Sequence, residues 1–323
     1  MTNRRDFIKK TSLLGVGGLV GGSVSADVAS VTPEMSAIKA VKKELGLQIY
    51  SLGKELYEDL PRRLKQLKDM GYIYLELCGY DQGKIRDIDM MEFKKIAEDN
   101  GLKITCSHVE PYIEGHRSPL LLDYKKEYLP QVLDYWKRAA DDHAKIGCRF
   151  LIQATMPTIR SHERAYIVCD FINEAAKVVK QAGMQYAYHN HHMEFEHLVR
   201  PEDVCKNNDP WTIPGDQIYD IFLEKTDPAF VQFEMDVYWT IRGGNDPVEY
   251  MQKFADRIKV LHIKDTTILG QSGLLNFENI FNQMYANGIK DFFVEMEPLK
   301  NGATQYEGVK ACADFLHNAS YVK

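Results

Sequence analysis

Five places along this 323-residue chain set ionisable side chains at the end of an apolar run: His108, His189 with His191, Glu234 with Asp236, His262 with Lys264, and Glu295 with Glu297. The last four are pairs two residues apart, and residues two apart on a β-strand share a face. Four consecutive strands can therefore aim imidazoles and carboxylates at one place. Packed there without a cation, Asp236 and Glu295 would repel each other and be costly to desolvate. One divalent metal ion removes that cost. A donor set of His, Asp and Glu suits Mn²⁺, Zn²⁺, Fe²⁺ or Co²⁺ better than Mg²⁺ or Ca²⁺, because imidazole is a borderline ligand. Histidines 116, 143, 162, 197 and 317 fall in loops or helical patterns and read as surface residues.

Such a site needs strands that end side by side. From residue 47 onward, short apolar and β-branched runs alternate with longer charged segments of helical period. Strands are expected over 47–51, 72–77, 103–108, 149–153, 184–189, 231–236, 258–263 and 291–296. Helical patterns lie between them over 56–70, 90–100, 128–146, 162–181, 247–256 and 304–317, most of them ending near a Gly or Asn. This order predicts an α/β fold with a parallel sheet and outer helices, and eight strands favour a (β/α)8 TIM barrel over a doubly wound open sheet. In such a barrel the chemistry gathers at the C-terminal strand ends. Two connections there are long, 110–127 and 195–217, the latter holding Trp211 and Pro214, as a lid or specificity wall would be.

Four segments carry a resemblance. Tyr188-His-Asn-His-His-Met-Glu-Phe195, Phe233-Glu-Met-Asp-Val-Tyr-Trp239, Leu261-His-Ile-Lys-Asp265 and Val294-Glu-Met-Glu297, in order and each at a strand end, resemble the sugar isomerase/epimerase family of xylose isomerase-like barrels over residues 45–320. The resemblance implies one divalent metal held by side chains of successive strands, here Asp236, His262 and Glu295, at spacings of 26 and 33 residues. Where the family places a Glu as first ligand this chain has His189, with His191 as the rival and no Glu before Glu194. The implied chemistry is proton abstraction beside a carbonyl through an enediolate, with Glu295 as base. A metal on the substrate oxygens stabilises the developing charge.

The missing second Glu leaves two outcomes open. The first is isomerisation or epimerisation of a ketose or keto-sugar. The second is carbon-oxygen lyase or hydratase chemistry on 3-keto-glycosides or 3-keto-2-hydroxyglucal, with His191 or Glu194 as general acid, as in the inosose dehydratase and keto-glycoside lyase relatives. Lys264 can steady an enediolate or pair with Glu297 or Glu234; Trp239 and Trp211 can stack on a sugar face. His108, Gln153, Glu234 and Glu297 are further candidates for binding the substrate. A non-catalytic carbohydrate-binding barrel is the third reading, and the intact Asp, His and Glu motifs speak against it.

Composition sets the outer limits. With 45% hydrophobic and 27% charged residues and a net charge of −6, the chain has a globular composition and no basic stretch to track a phosphate backbone. Neither nucleic acid nor a membrane surface is thus an expected partner; the small-molecule sugar is what the resemblance implies, and a homodimer is the default assembly. Residues 1–26, with Arg4, Arg5, Lys9 and Lys10 ahead of a glycine-rich apolar stretch, read as a twin-arginine-like signal peptide for export to the periplasm, followed by a linker over 27–44 and the barrel over 45–323. No stable membrane insertion is expected after cleavage, since the apolar stretch is shorter than the roughly 18 residues a span needs. The six cysteines form no CxxC spacing and read as small buried hydrophobes.

Overall fold

Eight parallel strands close into a barrel in the computed structural model, which describes residues 43–112, 124–200, 215–300 and 302–323. The barrel strands are β1 (Leu45–Gln48), β2 (Tyr72–Leu77), β3 (Lys103–His108), β4 (Phe150–Gln153), β5 (Gln185–His189), β6 (Val231–Asp236), β7 (Ile258–Lys264) and β8 (Asp291–Glu295). Each pairs in parallel with its neighbours in chain order, and β1 closes on β8. The (β/α)8 TIM barrel expected from the sequence is therefore the fold. The signal-peptide expectation and all of the linker but Lys43 and Glu44 fall outside the described residues, as do Trp211, Pro214, His116 and Cys205.

The outer layer holds α1 (Leu60–Met70), α2 (Met90–Asp99), α3 (Leu129–Ile146), α4 (His162–Gln181), α5 (Ile218–Lys225), α6 (Val237–Arg242), α7 (Pro247–Lys253), α8 (Phe277–Ala286) and α9 (Gln305–Asn318). Their ends follow local chemistry. The Asp59 side chain accepts Arg62 N–H at the start of α1, Ser161 caps α4, and Thr304 with Glu307 forms a capping box on α9. Gly71 ends α1 at φ 101, and a Cβ there would collide with the His317 ring. Among the described residues no helix is long and apolar enough to cross a membrane.

Three departures from the sequence pattern matter for position. The first strand ends at Gln48, because residues 49–58 wind into a 3-10 helix whose first turn is capped by the Gln48 side chain on Tyr50 N–H at 3.0 Å. Helices α5, α6 and α8 join those expected. The connection after β2 forms a small antiparallel sheet over residues 80–89, and residues 197–198 pair with 216–217 beside the long β5–β6 connection.

Inside the barrel, Tyr74, Cys106, Phe150, Ile152, Ala187, Val260 and Phe293 form an apolar plug distinct from the layer between sheet and helices. Two residues further along, β2, β3, β5, β7 and β8 carry Glu76, His108, His189, His262 and Glu295. The polar side chains thus stand on an apolar floor, toward the C-terminal mouth. Of the cysteines, 106, 148, 169 and 312 are buried and 78 is partly buried, all as free thiols.

Candidate metal centre and active site

The upper group at the mouth is His189, Asp236, His262 and Glu295, whose ligand atoms all lie within 4.8 Å of one another. Each comes from a different strand end, and parallel register sets Asp236 beside His262 and Lys264 beside Glu295. His262 Nδ1 lies 2.8 Å from Glu295 Oε2 and 4.0 Å from Asp236 Oδ2. Asp236 also caps α6: its Oδ1 accepts Trp239 N–H at 2.8 Å, and its own N–H donates to Asn190 Oδ1 at 3.2 Å. Its Oδ2 is buried without a hydrogen-bond partner.

Lys264 is the charge partner on the other side. It is 1% exposed, with Nζ 2.6 Å from Glu297 Oε1, 3.3 Å from Glu295 Oε2 and 5.0 Å from the centre of the Trp239 ring. Burial alone would raise the Glu295 carboxyl, but Lys264 and His262 outweigh it and hold Glu295 well below the usual carboxylate range. Asp236 goes the other way. Burial pushes its carboxyl up to about 7, with Lys264 and His262 only partly opposing and Glu295 adding to the rise. A buried carboxylate with an unpartnered oxygen beside a second carboxylate is the arrangement a divalent cation satisfies. The donor set fits such an ion.

A second tier adjoins it, lower on β6, where Glu234 precedes Asp236 by two residues, and with His108 partly exposed. Glu234 Oε2 meets His108 Nε2 at 2.8 Å, His189 Nδ1 at 3.1 Å and His262 Nε2 at 3.2 Å. Glu76 Oε2 meets His262 Nε2 at 2.5 Å and accepts from Gln48 Nε2 at 3.0 Å. His108, His189, Glu234 and His262 also bring ligand atoms within 4.8 Å of one another. Burial opposes ionisation of Glu234, yet His262, His108 and His189 keep it well below the usual range, while burial and Glu234 push Glu76 up to about 7. Burial likewise lowers both His189, which His262 lowers further, and His191, the latter to about 4.

The structure brings most sequence-singled residues together and sets others apart. His191 packs its ring on His189 at 5.0 Å and on Trp239 at 5.6 Å, beside the upper group, and is not part of it. Glu297 reaches the mouth through Lys264, with a side chain 31% exposed. Gln153 does not face the mouth: Ile152 takes the inward position on β4, so Gln153 points outward, bonded to Tyr124 OH at 2.9 Å and Tyr186 OH at 2.8 Å. Glu194 is also turned away, its oxygens taken by Tyr188 OH and His191 N–H, each at 2.8 Å, which secures the turn after β5. Glu234 faces inward but one tier too low to present itself at the mouth. Nor is His143 on the surface: it is fully buried, bonded to Ala139 O and Ser107 Oγ.

Glu76 and Glu110 were not among the sequence candidates. Glu76 is a lone charge in an apolar strand, two residues past Tyr74 on the inward face, and that parity was the available signal. Glu110 sits just past β3, hydrogen-bonded to Thr155, with burial pushing its carboxyl up to about 7.

Comparison with known proteins agrees with this architecture. Residues 64–316 match the model of the xylose isomerase-like TIM barrel family. A crystal structure described as a sugar phosphate isomerase/epimerase from Parabacteroides distasonis ATCC 8503 is 54% identical, with a TM-score of 0.83 over 87% of this chain and 100% of that one. A second of the same description and organism is 39% identical, with a TM-score of 0.80 over 90% of this chain and 100% of the other. An inosose dehydratase of Geobacillus kaustophilus is 30% identical over 96 residues, a match spanning 30% of this chain and only 26% of that relative. With the family model covering most of the barrel, and the four motifs sitting at its strand ends, the chain belongs to the xylose isomerase-like TIM barrel family.

Proposed function

We propose that this protein is a divalent-metal-dependent enzyme of the sugar isomerase/epimerase type, removing the proton next to the carbonyl of a ketose or keto-sugar. His189, Asp236, His262 and Glu295 would hold the ion, and Glu295 would take the proton. The observation that carries this is the convergence of those four side chains around the unpartnered Asp236 Oδ2. When bound, the ion supplies Lewis-acid stabilisation of negative charge on a substrate oxygen. The description of the 54% identical relative supports the isomerase/epimerase class.

The chain's own groups divide the remaining work. Glu295 is kept ionised by Lys264, so it is ready to accept a proton at Oε. Lys264, held charged by Glu295, Asp236 and Glu297 against its burial, stands where it can hydrogen-bond an enediolate oxygen. Trp239 is half-buried, with the His191 and His192 rings 5.6 and 5.3 Å from its own and Lys264 Nζ 5.0 Å from its centre, and stands beside the ligand group where a sugar can pack on it. His191 is neutral near pH 7, and so can give or take a hydrogen bond without carrying charge.

One observation favours a second reading, carbon-oxygen lyase or hydratase chemistry on a 3-keto-glycoside. Histidines 189 and 191 stand at the end of β5 where the family has a second carboxylate. In that case Glu295 removes the proton next to the carbonyl, and the β oxygen leaves with its bonding pair and is protonated. The test is metal content by elemental analysis, then turnover of ketoses and of 3-keto-glucosides by wild type and Glu295→Gln. One metal per chain and a loss of about 10²- to 10⁴-fold in kcat are expected; metal-free protein, or full activity in Glu295→Gln, refutes the assignment.

A further inference from the structure

Glu76, His108 and Glu234 in the second tier are not used by that mechanism, and their geometry is specific. His262 stands between the two tiers. Its Nδ1 faces Glu295 at 2.8 Å and Asp236 at 4.0 Å, and its Nε2 faces Glu76 at 2.5 Å and Glu234 at 3.2 Å. His189 turns Nδ1 to Glu234 at 3.1 Å, which leaves Nε2 as its other coordinating atom. Glu76 is itself fixed from the far side: Gln48 accepts Tyr50 N–H through Oε1 at 3.0 Å, so its amide must present Nε2 to Glu76 as a donor. All four of Gln48, Glu76, Glu234 and His262 are fully buried.

A neutral imidazole has one N–H and one lone pair, and the partner of one nitrogen decides the state of the other. We infer that Glu76 and Glu234 are positioning residues for the metal, locking His262 as the Nε2–H tautomer and His189 as the Nδ1–H tautomer so that each turns a lone pair to the ion. This rests on the metal-dependent function proposed above. An ion in the lower tier is the competing arrangement. The two groups share His189 and His262, so neutral imidazoles, with one lone pair each, cannot fill both. Carboxylates that bind imidazole N–H groups behind a metal also raise the basicity of the ligand nitrogen, and losing one typically weakens metal binding 10- to 100-fold.

Zinc is a suitable probe. Wild-type protein stripped of metal and reloaded with Zn²⁺ should hold one ion per chain. Competition with a chromophoric chelator should show about 10- to 100-fold weaker Zn²⁺ binding in Glu76→Gln and in Glu234→Gln. Long-range ¹⁵N–¹H spectra of the zinc-loaded, ¹⁵N-histidine wild type should place the proton on Nε2 of His262 and Nδ1 of His189, a readout that needs no variant to fold. One ion per chain with unchanged affinity in both variants, or the opposite tautomers, overturns the positioning role alone. Two ions per chain, falling to one in Glu234→Gln, overturns it in favour of a lower-tier metal. No zinc bound by the wild type overturns the metal-dependent function itself, and the positioning role with it.

Discussion

Replacing Asp236 with Asn should stabilise the metal-free protein while removing its response to metal. Asp236 is fully buried, with Oδ1 capping Trp239 N–H at 2.8 Å and Oδ2 unpartnered. Burial pushes its carboxyl from 3.8 up to about 7. A folded value above the unfolded one means that the contribution to stability is present at low pH and lost as pH rises through about 7. At pH 8 the ionised side chain therefore works against the metal-free fold. Going from 3.8 to about 7, at about 1.4 kcal/mol per pKa unit, sets a ceiling of about 4 kcal/mol. Asn keeps an oxygen for the Trp239 cap and drops the charge, so metal-free Asp236→Asn should exceed metal-free wild type by about 2 to 4 kcal/mol at pH 8. The gap should shrink to about half or less by pH 5. Urea unfolding with chelator, at both pH values, measures it, and repeating it with added Mn²⁺ or Zn²⁺ should stabilise only the wild type. A metal-free variant no more stable than wild type at pH 8, or a gap independent of pH, would refute the claim that Asp236 is a buried charge awaiting a cation.

Other expectations concern residues that the structure moves out of the site. Buried His143 has its imidazole pushed down to about 4 by burial, so its contribution is present above 6.5 and lost as pH falls toward 4. Stability should drop by about 3 kcal/mol across that window relative to His143→Gln, which cannot charge, and equal acid profiles by chemical denaturation would count against the buried neutral ring. Gln153→Leu should cost about 1 to 3 kcal/mol of stability, by leaving the Tyr124 and Tyr186 hydroxyls without their partner, and leave kcat/KM within about twofold at a temperature where it is folded. A raised KM with unchanged stability would return Gln153 to the substrate.

The barrel was legible because its strands are buried on both faces and read as apolar runs of the right length between helical patterns. Where local bonding wins over pattern, the boundaries move: Gln48 caps the 3-10 turn, so β1 ends at residue 48, and Asp236 caps α6, a six-residue helix too short to show a period. Parity placed Asp236, His262, Lys264 and Glu295 on the inward face, but parity gives no depth. Glu234 shares the face of Asp236 and lies a tier lower, where it serves imidazoles. In β4 the run Phe150-Leu-Ile-Gln153 is buried throughout, so no alternation marks Gln153 as outward. His143 follows Trp136, Ala139 and Ala140 on the buried stripe of α3, a 3.6-residue pattern that a lone polar residue hides. Glu76 was visible as the one charge within its strand, though its partners lie 28 to 186 residues away in sequence.

Proton abstraction by Glu295 is tested most directly by exchange with solvent. Metal-loaded wild type and Glu295→Gln would each be incubated in deuterated water with a panel of ketoses and 3-keto-glucosides and followed by NMR. The expected result is deuterium at the carbon next to the carbonyl with wild type alone, lost on chelation and restored by metal. Substrate converted without deuterium uptake, or uptake equal in wild type and Glu295→Gln, would contradict a metal-dependent proton abstraction by this residue.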